Sequence, residues 1–405
     1  MKRHVYLAMK NLEEAREIFF SRFNKKERIG AEEVPVDMAL GRVTSGPVFA
    51  RISAPTYHAA AMDGIMVRAE DTYGTTEREP KSLKVGREAD YCNTGNGIPE
   101  KYNAVIMIEK VHQIDDQNVE IRSPAYPWQH VRKVGEDIVA TQLILPQNHI
   151  IRPYDMSALI SAGIFSVLVR KRPVVAIIPT GSELVDHRKI KRPEDIKRNQ
   201  IIESNSVMLS GLVQTCNCVP QVYDIIPDRI GDIRNNLEKA VDSEADIIII
   251  NAGSSAGSKD FTANIIGEMG ELLVHGVAMM PGKPTILGSI KGKPIVGNPG
   301  YTVSAALSFD QFVKPLLYFL QGLKIPKTDR IKVRPSRDIP SKLGIEEFLR
   351  VNIGKVGDKI VATPLARAAG SITTMTRAEG IIRIPFLSEG VSQDDEIEAE
   401  LLVDE

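Results

Sequence analysis

The chain has 405 residues, which at roughly 100–200 residues per domain is enough for several domains. Hydrophobic residues make up 43% and charged residues 25%, so there is ample apolar material for several cores. The formal net charge of -1 excludes a strong overall field that would favour nucleic acid, although it allows a local basic pocket for a small anion.

The three cysteines, Cys92, Cys216 and Cys218, are too few and odd in number for a disulfide framework. Cys216 and Cys218 are too closely spaced for the usual zinc pair, and no second Cys or His pair follows them. We interpret all three as reduced thiols. Neither a signal-peptide core nor an apolar run of about 18 residues occurs, so we expect a soluble, cytoplasmic protein that does not bind membranes.

The first part of the chain predicts a mixed region that encloses a β-rich one. Apolar residues recur at helical spacing over 5–24, which predicts an amphipathic helix. The segment 31–50 predicts a short helix that leads into an extended stretch. Short apolar runs between turn signals over 51–145 predict a small β-rich module, and 154–164 predicts a helix that returns to the first region.

From residue 173 the pattern becomes α/β. Continuous apolar runs that alternate with helical patterns predict a parallel sheet covered on both faces. The predicted elements are strands at 172–178, 219–226 and 246–250, helices at 205–216 and 229–241, a hairpin at 286–295, and a long helix at 302–320 closed by Gly322. After Pro326, short strands with Gly and Pro at turn spacing predict a small barrel or sandwich.

Three loops follow strands of this predicted sheet, at 179–184, 251–260 and 297–304. Ligands of doubly wound sheets bind at the carboxyl ends of the strands, so we expect a site there. In the second loop, glycines allow close backbone approach and Asp260 could hold Mg²⁺ near a phosphate. The alternative is a tight turn with Asp260 as a helix cap.

Five other residues each allow a functional and a structural interpretation. Glu183 could be a metal or ribose ligand, or only an acid in the first turn of a helix. Asp246 could be functional, or only a surface residue at the start of a strand. Lys283, in a Pro-Gly-Lys-Pro turn, could clamp an oxyanion or do nothing. Asp63 could be functional, but it precedes a glycine, and Asp-Gly is commonly only a turn. For His58, we favour a structural role over a functional one.

Several short segments occur together in an order that resembles the MoeA/gephyrin E-domain family of molybdopterin molybdotransferases. Each is weak alone, but their shared order and spacing cover nearly the whole chain. The matching segments are Ala-Met-Asp-Gly at 61–64, Thr-Gly at 94–95 with Pro-Glu at 99–100, Gly-Glu-Asp-Ile at 135–138, Pro-Thr-Gly-Ser-Glu-Leu at 179–184, Ser-Asn at 204–205, the glycine-rich loop with Phe-Thr at 253–262, Pro-Gly-Lys-Pro at 281–284, Pro-Gly at 299–300 with Val-Ser-Ala at 303–305, Glu-Phe-Leu-Arg at 347–350 and Gly-Ser at 370–371.

The resemblance implies a multidomain α/β and β fold that forms an elongated homodimer. Residues 1–45 plus 145–172 would form the dimerisation domain, and 46–144 an inserted β-rich domain. Residues 173–325 would form a central three-layer α/β molybdopterin-binding domain, and 326–405 a small C-terminal β-barrel. The active site would lie between the α/β domain of one subunit and the inserted domain of the other.

The reaction that the resemblance implies inserts molybdate into adenylylated molybdopterin, with Mg²⁺-dependent release of AMP, to form molybdenum cofactor. The site residues that it implies fall into four groups. Asp246 and Asp260 would hold Mg²⁺, with Ser255 beside them at the adenylate; Lys283, Ser304, Arg350 and Ser371 would form the molybdate pocket; Asp63, Thr94 and Glu183 would orient the substrate; and Thr180, Gly181, Gly253 and Pro299 would complete the binding surface. Implied protein partners are the molybdopterin adenylyltransferase and recipient molybdoenzymes.

The chain departs from the family pattern at three places. Met280 stands where a second lysine is usual, Tyr301 and Thr302 replace an amide and a proline, and Asn298 replaces an apolar residue. These changes leave three alternatives open: a protein that binds molybdopterin or the finished cofactor without turnover, a variant that inserts tungstate, and an adenylyltransferase that uses ATP. The extra modules at both ends argue against the third.

Overall fold

The computed structural model describes residues 9–23, 29–252, 261–393 and 395–402. The chain forms two compact units: Ala31–Arg170, and a main unit made of Met1–Gly30 with Lys171–Glu405. Helix α1 (Leu12–Phe23) belongs to the main unit. The predicted helix over 5–24 was wrong at Lys10 and Asn11. Lys10 pairs with the backbone of Val277, and the Asn11 side chain accepts the N–H of Glu14 at 2.8 Å, which starts the helix at Leu12.

The 31–170 unit is mostly β, as predicted for residues 51–145. Its elements in chain order are β1 (Ala31–Pro35), β2 (Val48–Phe49), β3 (Ala59–Ala60), β4 (Gly64–Val67), β5 (Lys81–Lys84), β6 (Ala89–Cys92), β7 (Ala104–Met107), β8 (Val111–Gln113), β9 (Asn118–Ile121), β10 (Val131–Arg132), β11 (Leu143–Leu145), α2 (Pro153–Ser161) and β12 (Ser166–Arg170). Strand β4 lies between β6 and β7, and β9 lies between β5 and β8; side chains from both sheets share one core.

The second core of this unit lies around α2 and the antiparallel pair β1–β12. The predicted short helix at the start of 31–50 was wrong, because 31–35 is strand β1 and only Val36–Met38 forms a 3-10 turn. This segment forms a strand because β1 pairs with β12, which lies more than a hundred residues further along the chain. Helix α2 confirms the predicted helix and starts at Pro153. In its first turn, the Asp155 carboxylate accepts the backbone N–H of Arg152 at 2.8 Å and contacts His149 Nε2 at 2.6 Å.

The main unit contains a six-stranded sheet between helices. Its elements up to the last long helix are β13 (Val174–Pro179), β14 (Leu184–Asp186), β15 (Ile201–Glu203), α3 (Asn205–Thr215), β16 (Val219–Val222), α4 (Ile230–Asp242), β17 (Ile247–Ala252), α5 (Phe261–Met269), β18 (Glu271–His275), β19 (Met279–Met280), β20 (Ile286–Ile290), β21 (Lys293–Pro299), α6 (Thr302–Ser308) and α7 (Lys314–Leu320). The strand order is β16-β13-β17-β21-β20-β18, and the first four strands are parallel.

Alternate side chains of β17 enter different cores, which confirms the predicted three-layer α/β fold. Ile247 and Ile249 pack with α1, α3 and α6, while Ile248 and Ile250 pack with α4 and α5. The predicted hairpin is β20–β21, and its turn residue Lys291 has a φ of 47°. The predicted helix 302–320 is continuous, with a π-helical turn at Phe309–Val313 just before Pro315.

The C-terminal part is a closed barrel of five strands. Its elements are β22 (Arg330–Pro335), β23 (Ile339–Pro340), β24 (Glu346–Val356), β25 (Lys359–Pro364), α8 (Thr373–Arg377), β26 (Gly380–Ile384), β27 (Gly390–Val391) and β28 (Ile397–Leu401). Strands pair in the circuit β24-β25-β22-β28-β26 and back to β24, so no edge is left open. Within the described ranges, no helix has the length and apolar character needed to cross a membrane.

Candidate functional site

A pocket of about 410 Å³ opens at the carboxyl ends of β13, β17 and β21. Thr180 follows β13, Asn251 is the fifth residue of β17, and Gly300 follows β21, where Pro299 is the last strand residue. The three predicted loops therefore do start at one edge of the sheet, as expected for parallel strands.

The Thr180-Gly181 turn forms the first wall of this pocket. The Thr180 N–H donates to the carbonyl oxygen of Asn251 at 2.9 Å, and the Gly181 N–H donates to that of Ile226 at 3.0 Å. A Cβ atom on Gly181 would lie only 2.7 Å from Cγ of Leu184, so this tight path requires glycine. The turn brings Glu183 to the pocket, as the sequence predicts for a residue that orients a ligand.

The start of helix α3 forms the opposite wall. Nδ2 of Asn205 donates to the carbonyl oxygen of Gly300 at 2.8 Å, which ties the third loop to this helix. The carboxylate of Glu203 accepts the N–H of Ser206 at 2.9 Å and also lines the pocket. Ser204 and Asn205 belong to a motif of the family resemblance, but no role was predicted for them or for Glu203. An acid directly before a Ser-Asn helix start is the signal that would have found both.

The pocket is rich in hydrogen-bond acceptors. The carboxylates of Glu183 and Glu203 both line it, and among its described lining residues there is no Lys, Arg or His. In this described part of the lining, two carboxylates repel an oxyanion and attract donor groups or a positive ion. The described lining therefore differs chemically from the predicted molybdate pocket, which depends on Lys283 and Arg350.

A loop of the barrel closes the pocket on another side. The N–H of Val303, at the start of α6, donates to the carbonyl oxygen of Ala369 at 3.1 Å. The ring of Tyr301 packs over Gly370, where an added Cβ atom would lie 3.1 Å from Cδ1 of the ring. Ser371 follows and is half-buried, while Ser304 is buried in the first turn of α6. The predicted residues Ser304 and Ser371 therefore lie on elements joined by a hydrogen bond.

Arg350 lies beneath this loop and is 1% exposed. Its guanidinium donates to the carbonyl oxygens of Ala366 at 2.7 Å and Phe348 at 3.3 Å, and to Oγ1 of Thr374 at 3.3 Å. Burial lowers the pKa of Arg350. Arg350 therefore acts on protein groups that hold the loop 366–374, and its predicted contact with molybdate stays a prediction.

Lys283 lies in the predicted Pro-Gly-Lys-Pro turn, which follows strand β19. Strand β19 pairs with the barrel strand β24, and β24 carries Arg350. Gly282 has a φ of 123°, a backbone conformation that residues with a side chain rarely adopt, so the turn favours glycine. Lys283 is half-buried and does not line the 410 Å³ pocket.

Asp246 is not brought to the pocket, which corrects the prediction that it shares a site with the strand-end loops. It directly precedes β17, and its carboxylate accepts the N–H of Val174, the first residue of β13, at 2.9 Å. Asn251 lies five residues further along the strand, which is roughly 16 Å at 3.3 Å per residue. Asp246 therefore lies at the amino edge of the sheet, in agreement with the alternative interpretation of a residue at a strand start.

Asp63 and Thr94, predicted from separate motifs, are in contact in the 31–170 unit. The Asp63 carboxylate accepts the backbone N–H of Thr94 at 2.6 Å and its hydroxyl at 2.9 Å. These two hydrogen bonds hold the pKa of Asp63 below its usual value, with the backbone N–H contributing most. Asp63 precedes β4 and Thr94 follows β6, and the pairing of Gly64 with Cys92 places them together. His58 accepts the N–H of Val134 at 3.1 Å, which agrees with its predicted structural role.

Three predicted residues, Gly253, Ser255 and Asp260, lie outside the described residues. Within the described ones, no group of three or more His, Cys, Asp or Glu side chains is arranged to hold a metal ion. Cys92, Cys216 and Cys218 are buried and form no disulfide within the described ranges.

Family models match the chain in three consecutive parts. Residues 10–163 match the MoeA N-terminal region (domain I and II), 176–318 match a probable molybdopterin binding domain, and 332–402 match the MoeA C-terminal region (domain IV). The 410 Å³ pocket has most of its wall within the second match.

Relatives match over nearly the full length. A putative molybdopterin biosynthesis protein of Methanocaldococcus jannaschii is 33% identical over 403 residues, which cover 96% of this chain and 98% of that protein. The molybdopterin molybdenumtransferase 2 of Mycobacterium tuberculosis is 31% identical and covers 87% of this chain and 90% of its own length. A crystal structure of the molybdopterin biosynthesis MoeA protein of Pyrococcus horikoshii superposes with a TM-score of 0.82 at 31% identity, covering 98% of this chain and 100% of that one. The chain therefore belongs to the MoeA family of molybdopterin molybdenumtransferases, transferases of molybdenum-cofactor biosynthesis.

Proposed function

We propose that this chain transfers molybdenum from molybdate to adenylylated molybdopterin, with release of AMP. The observation that carries the proposal is the pocket at the carboxyl ends of β13, β17 and β21, in the part that matches a probable molybdopterin binding domain. A cavity of about 410 Å³ is in the range that holds a cofactor-sized ligand.

The proposal divides binding between two places. The acceptor-rich pocket takes the organic part of the substrate. Ser371 of the adjacent barrel loop, Ser304 of α6 and Lys283 supply hydroxyl and cationic groups for the oxyanion. A dianion needs such donors because the dithiolene and phosphate of the substrate repel it. Arg350 positions this loop through its hydrogen bonds to Ala366 and Thr374.

We also propose the domain division of the family: a dimerisation domain at 1–45 plus 145–172, an inserted domain at 46–144, the α/β domain at 173–325 and the barrel at 326–405. In the proposed homodimer, Asp63 and Thr94 of one subunit complete the site of the other. Their mutual hydrogen bonds support this role, because they keep the Asp63 carboxylate ionised and oriented. The adenylyltransferase that makes the substrate and the molybdoenzymes that receive the product are the proposed partners.

Magnesium would assist the departure of AMP by neutralising phosphate charge. Proteins hold Mg²⁺ through one or two carboxylates together with substrate phosphates. Asp246 does not fit such a site at the pocket, because it lies at the amino edge of the sheet. Asp260, which is outside the described residues, is the carboxylate that the proposal retains.

The test is an assay with purified full-length protein, adenylylated molybdopterin and Mg²⁺, in which AMP release is measured with molybdate, with tungstate and with neither. We expect AMP release with molybdate, together with molybdenum-loaded pterin. Release with tungstate alone would identify a tungstate-inserting variant. Tight pterin binding without AMP release under either oxyanion would refute the proposal and favour a protein that only binds the pterin.

A further inference from the structure

Glu347 is a buried carboxylate at the start of the barrel strand β24. It is the second residue of the strand and the first of the Glu-Phe-Leu-Arg motif, and its side chain is only 2% exposed. Glutamate is almost never buried to this degree unless its charge is paired. The contacts of its two oxygen atoms therefore indicate what the charge does.

The two oxygen atoms of Glu347 hold two different segments. Oε1 lies 3.3 Å from Nε of Arg367, which belongs to the loop 366–374, and the two groups form an ion pair. Oε2 accepts the hydroxyl of Ser341 at 2.7 Å. Arg367 also donates through Nη2 to the carbonyl oxygen of Pro340 at 2.8 Å. Glu347 thereby ties the loop to the segment 340–341 of the barrel.

A second side chain of β24 holds the loop on either side of Arg367. Arg350 donates through Nη2 to the carbonyl oxygens of Ala366 at 2.7 Å and Ala368 at 3.5 Å. Burial lowers the pKa of Arg350, and the negative charge of Glu347 opposes that shift. Residues 366–368 are therefore anchored by two side chains of opposite charge from one strand.

The tip of the loop, 369–371, comes directly after these anchors. The carbonyl oxygen of Ala369 accepts the N–H of Val303, and Gly370 packs against Tyr301 and lines the 410 Å³ pocket. The sequence here is Ala-Ala-Gly-Ser at 368–371, so the tip has almost no side-chain mass of its own with which to pack. Its conformation depends on the anchors.

We propose that Glu347 is a positioning residue for the oxyanion side of the site, and that it acts through Arg367 on the loop tip that carries Ser371. Glu347 touches no substrate itself. Its charge is what matters, because glutamine could still accept the hydroxyl of Ser341 but would leave Arg367 without its ion-pair partner. This role deepens the proposed function and rests on it, since that function assigns Ser371 to the oxyanion.

The neighbouring residue Glu346 provides a matched control. Its side chain is 6% exposed, and it pairs with Arg383, which is 42% exposed, much as Glu347 pairs with Arg367, which is 40% exposed. Arg383 lies on β26 and not in the loop. Glu347→Gln and Glu346→Gln therefore remove the same charge at a similar depth in the barrel, but only the first change releases the loop.

The first measurement is hydrogen exchange of the full-length protein without substrate, followed by mass spectrometry. Peptides that cover 366–374 should exchange at least about tenfold faster in Glu347→Gln and at the wild-type rate in Glu346→Gln. Arg367→Ala should show the same acceleration, and the double variant no more than either single one, because the two groups form one contact. Arg367 is partly exposed, so its variant carries the test if Glu347→Gln does not fold.

The second measurement is AMP release as the molybdate concentration is varied. A displaced Ser371 should raise the KM for molybdate by about tenfold, while kcat and the KM for adenylylated molybdopterin stay near wild type. Arg367→Lys keeps the positive charge, so its KM for molybdate should lie closer to wild type than that of Arg367→Ala. Glu346→Gln should have the wild-type KM.

Equal loop exchange in Glu347→Gln and Glu346→Gln, or a lower kcat at an unchanged KM for molybdate, would overturn the role of Glu347. These outcomes are distinct from a failure of the proposed function. AMP release by wild type together with equal loop exchange in the two variants would remove the role of Glu347 and leave the function standing. A wild type that releases no AMP, with loop exchange that depends on Glu347, would refute the function and leave the anchoring of the loop standing.

Discussion

Replacing Arg350 by alanine tests the account of the barrel loop most sharply. The side chain is 1% exposed, and its contact with the Ala366 carbonyl oxygen is a charge-assisted hydrogen bond of 2.7 Å. Such a bond stabilises by about 1.5–3 kcal/mol, and the two contacts at 3.3 Å add about 0.5–1 kcal/mol each. The cost of burying the guanidinium, which lowers its pKa, offsets part of this sum. We expect Arg350→Ala to lower the free energy of unfolding by about 3 kcal/mol.

The assay is urea-induced unfolding followed by circular dichroism, with Arg330→Ala as the control on the same barrel. Arg330 pairs with Glu398 and Glu400 at the surface, with its side chain 53% exposed, so its loss should cost at most about 1 kcal/mol. Arg350→Lys retains the charge but not the planar fork of donors, and should lie between wild type and the alanine variant. If Arg350→Ala destabilised no more than Arg330→Ala, the guanidinium would not organise the loop.

Three further predictions concern other parts of the molecule. Gly64→Ala places a Cβ atom 1.9 Å from a backbone oxygen of the neighbouring strand and should unfold the β4 sheet, whereas Gly211→Ala, in open space within α3, should stabilise by about 0.5–1 kcal/mol in thermal denaturation. The pKa of Asp155 is far below its usual value, because its arginine and histidine partners favour the ionised carboxylate. The contribution of Asp155 to the stability of the fold is therefore complete above the unfolded-state pKa of about 3.9 and is lost as the pH falls below that value. In the Asp155→Asn variant, the free energy of unfolding should fall less steeply as the pH is lowered. An unchanged fall would contradict the role assigned to Asp155. Thr94→Val removes one of two bonds to Asp63, so an NMR titration should show the pKa of Asp63 rising towards its ordinary value, and no rise would contradict the contact.

The sequence predicted the α/β core well because its strands are continuous apolar runs that no helix of a globular surface would show. The same runs predicted where the loops meet, since parallel strands end together. Turn spacing predicted the β-rich unit but left a barrel or a sandwich open for the C-terminal part, and the family resemblance implied the barrel. Asp63 and Thr94 were singled out by family motifs alone, and their contact was not predicted, because β4 and β6 pair across a long loop that has no local signal.

What the sequence did not predict depends on distant partners. Strand β1 forms because β12 offers an edge, although local residues favoured a helix. Helix α1 starts late because Lys10 pairs with Val277. The acceptor character of the pocket depends on Glu203, which strand β15 brings opposite the Thr180 turn, and no motif singled it out. The metal role of Asp246 was implied by the family resemblance, whereas its position at the start of β17 places it at the amino edge of the sheet, away from the strand-end loops.

The central claim is that the chain uses molybdate to convert adenylylated molybdopterin, and a single-turnover reaction with that substrate and Mg²⁺ tests it directly. AMP and molybdenum-bound pterin are quantified together as the molybdate concentration is raised. The account predicts that both appear in equal amounts and only when protein and molybdate are present together. Bound substrate that stays adenylylated at saturating molybdate would contradict it.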